Sequence, residues 1–333
     1  MNPKVDVSLI VLTYNRPAPL KRCLESIACM DKGGASFEVL VVDDGSTSDN
    51  KSVIDGFRGR LDIEYLLKPR GGVASARNHG GAHARGGLIA FIADDYILPP
   101  DYIKDTTEFL AANPDAWIIT HNILPTGPSI FRYAQRLYYQ MTLLQRFSSK
   151  DFRSSVLESF GLPPSRAAVF RKEMFDITGW FNEKLLTGED GDLGMRMAAE
   201  GIPVYFFVDK YIKHWEEKDL SGYLEQRTRY GASFYRVLKD RDGNRMTEPS
   251  LSWVVKSVSE RYISWLRLSF KLGRKTEFIL LTPLTLLFLS FYFRGYYSES
   301  KRAAPSEGVV AAQAERPGQG APDEQRKTSL NPE

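Results

Sequence analysis

The N-terminal half of the chain alternates between continuous apolar runs and apolar residues at helical spacing. Val7–Thr13 (VSLIVLT) is apolar at nearly every position, as in a strand buried on both faces. From Pro17 to Cys29, Leu20, Leu24 and Ile27 recur with the period of a helix. Phe37–Val42 predicts a second buried strand, Ser52–Phe57 a short helix and Ile63–Leu67 a third strand. Gly72–Ala84 reads as a helix opening with glycines, and Leu88–Ala93 (LIAFIA) as a fourth strand. Pro100–Ala112 predicts a helix stopped by Asn113-Pro114, with a further strand over Trp117–Asn122. Alternation of this kind predicts an α/β fold with a doubly wound, mostly parallel sheet and flanking helices.

In such sheets ligands bind beyond the carboxyl ends of the strands. Three predicted strands end in polar or acidic clusters: Thr13-Tyr14-Asn15-Arg16, Asp43-Asp44-Gly45-Ser46 and Asp94-Asp95. All three should gather along one sheet edge.

The C-terminal part follows another pattern. Residues 276–293 (TEFILLTPLTLLFLSFYF) hold one charge, Glu277, and Pro283 interrupts them. A bilayer core of about 30 Å takes roughly 20 helical residues, and Phe278 to Phe293 falls short of that. Lys271, Arg274, Lys275 and Arg294 flank the run, and Tyr292, Tyr296 and Tyr297 sit at one end. One reading is a helix buried in protein; the favoured one is a membrane-associated segment, short-spanning, re-entrant or in-plane. Trp253–Arg274 mixes Trp, Tyr and Leu with Lys and Arg, as an interfacial helix does. Residues 298–333 contain no aromatic side chain and are rich in Ala, Pro, Glu, Gln and Gly, so they read as a disordered tail. The expected organisation is a catalytic domain over 1–245, an amphipathic and apolar segment over 246–297, and the tail.

Composition narrows the classes. With 333 residues the chain can bury a sizeable core, and 43% hydrophobic with 26% charged residues excludes a polytopic membrane protein. Forty-four basic against 41 acidic residues, net +3, is too mild a bias to suggest nucleic-acid binding. Two cysteines, Cys23 and Cys29, exclude a disulfide framework, and Met1–Asp6 shows no signal-peptide pattern.

The acidic clusters carry the candidate chemistry. Adjacent carboxylates at Asp94 and Asp95 after a buried strand either bridge a hard cation, Mg²⁺ or Mn²⁺, or form an acidic capping turn. Asp43 and Asp44 either accept bonds from a base or ribose or cap the next helix. Lys68, Arg70, Gly71, Gly72 and Arg77 could meet a diphosphate through backbone N–H groups and guanidinium. Neither G-x-G-x-x-G after the first strand nor G-x-x-x-x-G-K-[ST] is present, against NAD and P-loop sites. Gly188-Glu189-Asp190-Gly191-Asp192 puts three carboxylates before a helical run, as a general base or an acidic helix start. His214 follows the strand-like Val204–Val208.

Six blocks in order resemble the family 2 inverting glycosyltransferases of GT-A fold. They are VSLIVLTYNRP (7–17), FEVLVVDDGSTSD (37–49), GGVASARNHG (71–80), IAFIADDYILPPDYI (89–103), GWFNEKLLTGEDGDLGMRM (179–197) and VYFFVDKYIKHW (204–215). The resemblance implies a nucleotide-diphospho-sugar site formed by Thr13, Tyr14, Asn15, Arg16, Asp43, Asp44, Arg77, Asn78 and Asp94. It implies a Mn²⁺ or Mg²⁺ ligated by Asp95, with His214 completing the shell. Asp190 matches the general base, with Glu189 beside it. Many members read F-L-D-x-D at the metal strand; here Ala93 stands in place of the first Asp. Gln226-Arg227-Thr228-Arg229-Tyr230 resembles the Q-x-x-R-W of processive synthases with Tyr for Trp, and reads as a helix with a surface arginine.

The activity implied is transfer of one hexose, with inversion, from a UDP-sugar to a hydroxyl of a lipid-linked or cell-surface glycan. The expected partners are that donor, that acceptor and the cytoplasmic face of a membrane, with no nucleic acid. The alternatives are a polyprenyl-phosphate sugar synthase and a silent nucleotide-sugar or glycan-binding module. An aromatic stretch over 129–152, with Phe131, Tyr133, Leu137, Tyr138, Tyr139, Met141 and Leu144, reads as an acceptor wall or a core helix.

Overall fold

The computed structural model describes residues 5–129, 131–137, 141, 156–159, 167–185, 187–242, 249–271, 273 and 275–302. The expected 245/246 boundary, the tail beyond residue 302 and most of the aromatic stretch (138–140 and 142–152) lie outside these residues.

Strands β1 (Val7–Thr13), β2 (Phe37–Asp43), β3 (Ile63–Leu67) and β4 (Leu88–Ala93) pair in parallel in the order β3-β2-β1-β4. They form because each is a short β-rich apolar run with room on both faces. Leu9 and Val11 point into one core and Ile10 into the other, as strand alternation requires. Helices α1 (Pro17–Ala28), α2 (Asn50–Asp55) and α4 (Tyr102–Ala112) close the first core through Leu20, Leu24, Ile54, Ile103 and Leu110. Helix α3 (Gly72–His83) covers the second core, with α5 (Met174–Thr178) and α6 (Glu189–Ala199) beside it. Gly80 and Gly81 let α3 sit this close: a Cβ there would overlap Ile10 and the Trp180 ring.

Beyond β4 the sheet departs from the expected pattern. It continues β8 (Val169–Arg171), β6 (Ile118–Thr126), β9 (Val204–Trp215) and β5 (Tyr96–Ile97), with β7 (Val156–Ser159) also on β9. Four of the eight pairings among the described residues are parallel and four antiparallel, so the sheet is mixed rather than mostly parallel. Strands β5, β7 and β8, none of them predicted, are two to four residues long, too short to show a period in sequence. Strand β9 runs past the predicted Val208 to Trp215, which brings His214 into the sheet.

The C-terminal helices α7 (Leu220–Asp242), α8 (Leu251–Lys271), α9 (Lys275–Leu280) and α10 (Thr282–Arg302) pack on one another. Residues 276–293 are divided between α9 and α10, and Pro283 falls in the first turn of α10, where its missing N–H costs no helical bond. Among the described residues no helix is long and apolar enough to cross a membrane. The apolar face of α10 instead covers protein: Phe288 meets Tyr223 at 5.9 Å and Tyr296 meets Tyr235 at 5.2 Å. Leu137 and Met141 of the aromatic stretch are buried with Trp265, Phe278, Leu289 and Phe293, so this part is core; Tyr133 is exposed. Residues 298–302, expected in the tail, continue α10. Arg229 is exposed as read, whereas Arg227 is fully buried and donates to Gln135 Oε1.

Candidate active site

The carboxyl ends of β1, β2 and β4 lie side by side, with Thr13 opposite Asp43 and Leu12 opposite Ala93. Parallel register therefore delivers the three polar clusters to one edge. Thr13 Oγ1 donates to Asp94 Oδ2 at 2.9 Å. Arg16, at the start of α1, reaches back with Nη1 to Asp94 Oδ1 at 2.7 Å and Asp95 Oδ2 at 3.0 Å.

Antiparallel pairing of β5 with β9 sets Tyr96 opposite His214 and folds the histidine over the acidic turn. His214 Nε2 lies 3.4 Å from Asp95 Oδ2, and its Nδ1 lies 3.0 Å from Glu216 Oε1. Glu216 is fully buried. Sequence reading missed it, although two residues on from His214 in extended backbone places it on the same face.

Burial and the neighbouring charges oppose one another at each of these groups. It pushes the Asp94 carboxyl up to about 7 against the pull of Arg16. Burial also raises Asp95, but the His214 and Arg16 cations outweigh it and hold Asp95 well below the usual range. Burial lowers His214, yet its two carboxylate partners lift it to about 9. Two carboxylates this buried need positive charge, and Arg16 and His214 supply it. Asp95 Oδ1 is buried with no hydrogen-bond partner.

The second acidic pair holds the loops. Asp43 is fully buried and accepts from Ser46 N at 2.8 Å, Asn50 Nδ2 at 3.0 Å and Tyr65 OH at 2.9 Å. Burial and that carboxylate push the Tyr65 phenol up to about 12. Asp44 accepts from Lys68 Nζ at 2.7 Å and from the Gly71 and Gly72 amides at 2.8 Å each. Gly45 at φ +81° lets this loop close against Arg70, whose backbone a Cβ would strike. Asn15, at φ +53°, accepts on its side-chain oxygen from Thr47 N at 2.7 Å and Ser48 N at 3.1 Å. Its amide is thus spent on the loop after β2. Half-exposed Tyr14 carries the Arg70 guanidinium 3.6 Å from its ring centroid.

The Glu189-Asp190 pair opens α6. Gly188 precedes it at φ +90° and packs near Ser233 and Val237 of α7. Arg77 Nη1 on α3 donates to Glu189 Oε1 at 2.8 Å, both side chains largely buried. Burial raises the Glu189 carboxyl, opposed by Arg77. Asp190 is half-buried, its Oδ1 accepting from Gly191 N at 2.8 Å. Asn78 bonds Phe181 O at 2.9 Å and Glu183 Oε1 at 2.8 Å, so it ties α3 to the segment leading to α6. Among the described residues no three His, Cys, Asp or Glu side chains are arranged to hold a metal.

The glycosyl transferase family 2 profile matches residues 8–177. The chain belongs to that family. It is 29% identical over 227 residues to validoxylamine A glucosyltransferase of Streptomyces hygroscopicus subsp. limoneus, covering 60% of this chain and 49% of the relative. It is 23% identical over 323 residues to β-monoglucosyldiacylglycerol synthase of Synechocystis, covering 92% of this chain and 65% of the relative. The chain thus spans about half the length of the first of these relatives. Among solved structures it resembles a Pyrobaculum calidifontis mannosyltransferase in complex with GDP-Man and Mn²⁺ (TM-score 0.55, 18% identity, 94% of this chain, 87% of the other). It also resembles S. aureus TarS 1-349 in complex with UDP-GlcNAc (TM-score 0.51, 18% identity, 89% and 91%). At such identity these structures show the shared fold.

Proposed function

We propose that the protein transfers one sugar, with inversion, from a nucleoside-diphosphate sugar to an acceptor hydroxyl. The observation that carries this reading is the convergence of Arg16, Asp44, Asp94, Asp95 and His214 at one strand edge. A UDP-linked donor is the favoured form. Its base fits beside Tyr14 and the Asp44 loop, and its ribose beside Asp94. Arg77 either approaches the donor or, as seen, holds Glu189 in place. Asp190 takes the acceptor proton, because Glu189 already serves Arg77. Inversion needs one displacement, so no second carboxylate acts as a nucleophile.

A divalent cation fits this donor set. Asp95 has a buried, unpartnered Oδ1, and His214 Nε2 faces the same carboxylate and becomes a ligand on giving up its proton. Asp95 and His214 would hold the cation from the protein side. When bound, Mn²⁺ or Mg²⁺ offsets the charge left on that diphosphate. Asp94, held by Thr13 and Arg16, steadies the turn from which Asp95 projects.

A thermal-shift series tests the reading. UDP-glucose, UDP-GlcNAc and GDP-mannose are each added with Mn²⁺ or with EDTA. At least one UDP-sugar should raise Tm by several degrees, and EDTA should abolish most of the gain. No response to any nucleotide sugar overturns the reading. Binding without release of nucleotide in the presence of acceptors identifies the silent module, and transfer to a polyprenyl phosphate identifies the synthase.

We also infer a membrane-surface contact at the cytoplasmic face, favouring a lipid-linked or membrane-proximal acceptor. Support comes from the outer faces of α8 and α9, where Leu251, Val255, Ile263, Phe270, Ile279 and Leu280 are exposed beside Lys256, Arg267 and Lys275. The chain should sediment with phosphatidylglycerol vesicles and not with phosphatidylcholine alone, and V255E/F270E should stay in the supernatant. Equal recovery of wild type with and without anionic vesicles sinks this contact.

A further inference from the structure

A cavity of about 350 Å³ opens at the end of β6, lined by Leu124, Thr126, Arg132, Tyr133 and Arg136 among others. The catalytic and donor-binding roles assigned above do not use it, and Tyr133 belongs to the stretch read in sequence as an acceptor wall or a core helix. Its floor lies one strand from the acidic turn: Pro125 sits opposite His214 in the β6–β9 register, and Thr126 Oγ1 donates to His214 O at 3.4 Å. The cavity therefore shares the strand edge that carries the candidate active site.

Among the described residues its lining holds two guanidiniums and no carboxylate. Arg132 is propped in place: Nη1 donates to Ser129 O at 2.9 Å, Nη2 to Tyr133 OH at 3.2 Å, and its Cζ lies 4.6 Å from the Tyr133 ring centroid. Arg136 has a buried Nε with no hydrogen-bond partner. Among the described residues neither arginine pairs with a carboxylate. The nearby acids are already engaged, Glu216 by His214 and Lys218, and Glu217 by Arg22. A buried N–H left unmatched is unfavourable, and a guanidinium fork fits the two oxygens of a carboxylate or phosphate. A neutral sugar supplies hydroxyls but no charge to meet two cations in one pocket.

We propose that this cavity binds an anionic group carried by the acceptor, a phosphate or a carboxylate, one subsite from the reacting hydroxyl. The word acceptor rests on the transferase reading above; the anion site itself does not. Arg136 binds through its unmatched Nε, and Arg132, held over Tyr133, supplies the second guanidinium.

Glycerol 3-phosphate, methyl β-glucuronide and neutral methyl β-glucoside are titrated calorimetrically against the full chain, with and without saturating UDP and Mn²⁺. One of the two anions should bind saturably, weaken as salt rises, and lose at least tenfold in affinity in R136Q and in R132Q; the glucoside should not bind. Which anion binds tells a phosphate-bearing acceptor from a uronate-bearing one, and either supports the site. Phenylglyoxal labelling of wild type gives a second measurement free of folding effects: the bound anion should protect Arg132 and Arg136. Binding of neither anion, or unchanged affinity in both folded variants, overturns the proposal. Failure of UDP to bind sinks the transferase reading while leaving the anion titrations to judge this cavity.

Discussion

Asp190→Asn is expected to lower sugar transfer about 10³-fold, within the range for removal of a general base, and to leave UDP affinity within about twofold of wild type. The substitution keeps size and shape. The amide oxygen still accepts the Gly191 N–H that Asp190 Oδ1 accepts now, so the first turn of α6 keeps its geometry. Only proton acceptance is lost. Glu189 cannot stand in, because it is buried and committed to Arg77 at 2.8 Å. UDP contacts in the proposed site come from β1, β2 and β4, so donor binding is independent of this side chain. Steady-state transfer and calorimetric UDP binding check both halves. A kcat within threefold of wild type removes Asp190 from the base role, and joint loss of UDP binding points to misfolding.

Gly231→Ala is expected to destabilise the protein by about 3 kcal/mol, the upper end for overpacking, and to lower Tm by roughly 10 °C. Helix propensity alone predicts the opposite sign, since alanine is favoured over glycine by about 1 kcal/mol within a helix. Packing decides it. A Cβ at Gly231 of α7 would overlap Tyr292 O of α10, and one at Gly295 of α10 would overlap Thr228 O of α7. Both struck groups are backbone, which has no rotamer to change. The helices would have to separate, loosening Tyr223 from Phe288 and Tyr235 from Tyr296. Calorimetric melts of wild type, G231A and G295A measure this; an unchanged or raised Tm in both variants refutes the close crossing.

The crossing also bears on how residues 276–293 read in sequence. Their composition is that of a segment seeking an apolar environment, and composition does not say whether lipid or protein provides it. Here Gly231, far away in sequence, lets α7 approach the backbone of α10 at Tyr292, and Phe288 packs on Tyr223 of α7. The pairing of two glycines 64 positions apart has no local signature.

The N-terminal half behaves differently. Strands β1, β2 and β4 are buried on both faces, so their apolar runs are continuous and their ends abrupt. Each ends in a polar cluster, and parallel pairing alone brings Thr13, Asp43 and Asp94 together. What those side chains do there was not legible. Asn15 and Asp43 spend their oxygens on the loop after β2, and Asn78 on the segment at Phe181. Residue type and spacing are the same whether an amide meets a ligand or a backbone N–H.

The sequence by itself determined the family, the parallel half of the sheet and the edge where its acidic clusters meet. Local patterning suffices for these, because burial of each strand is written into its own residues. Only the tertiary structure decided the mixed half of the sheet, the Glu216–His214–Asp95 contact, the Arg77–Glu189 pair and the cavity holding Arg132 and Arg136. These depend on short antiparallel pairings and on side chains up to 119 positions apart, from Asp95 to His214, whose meeting is a property of the packed chain.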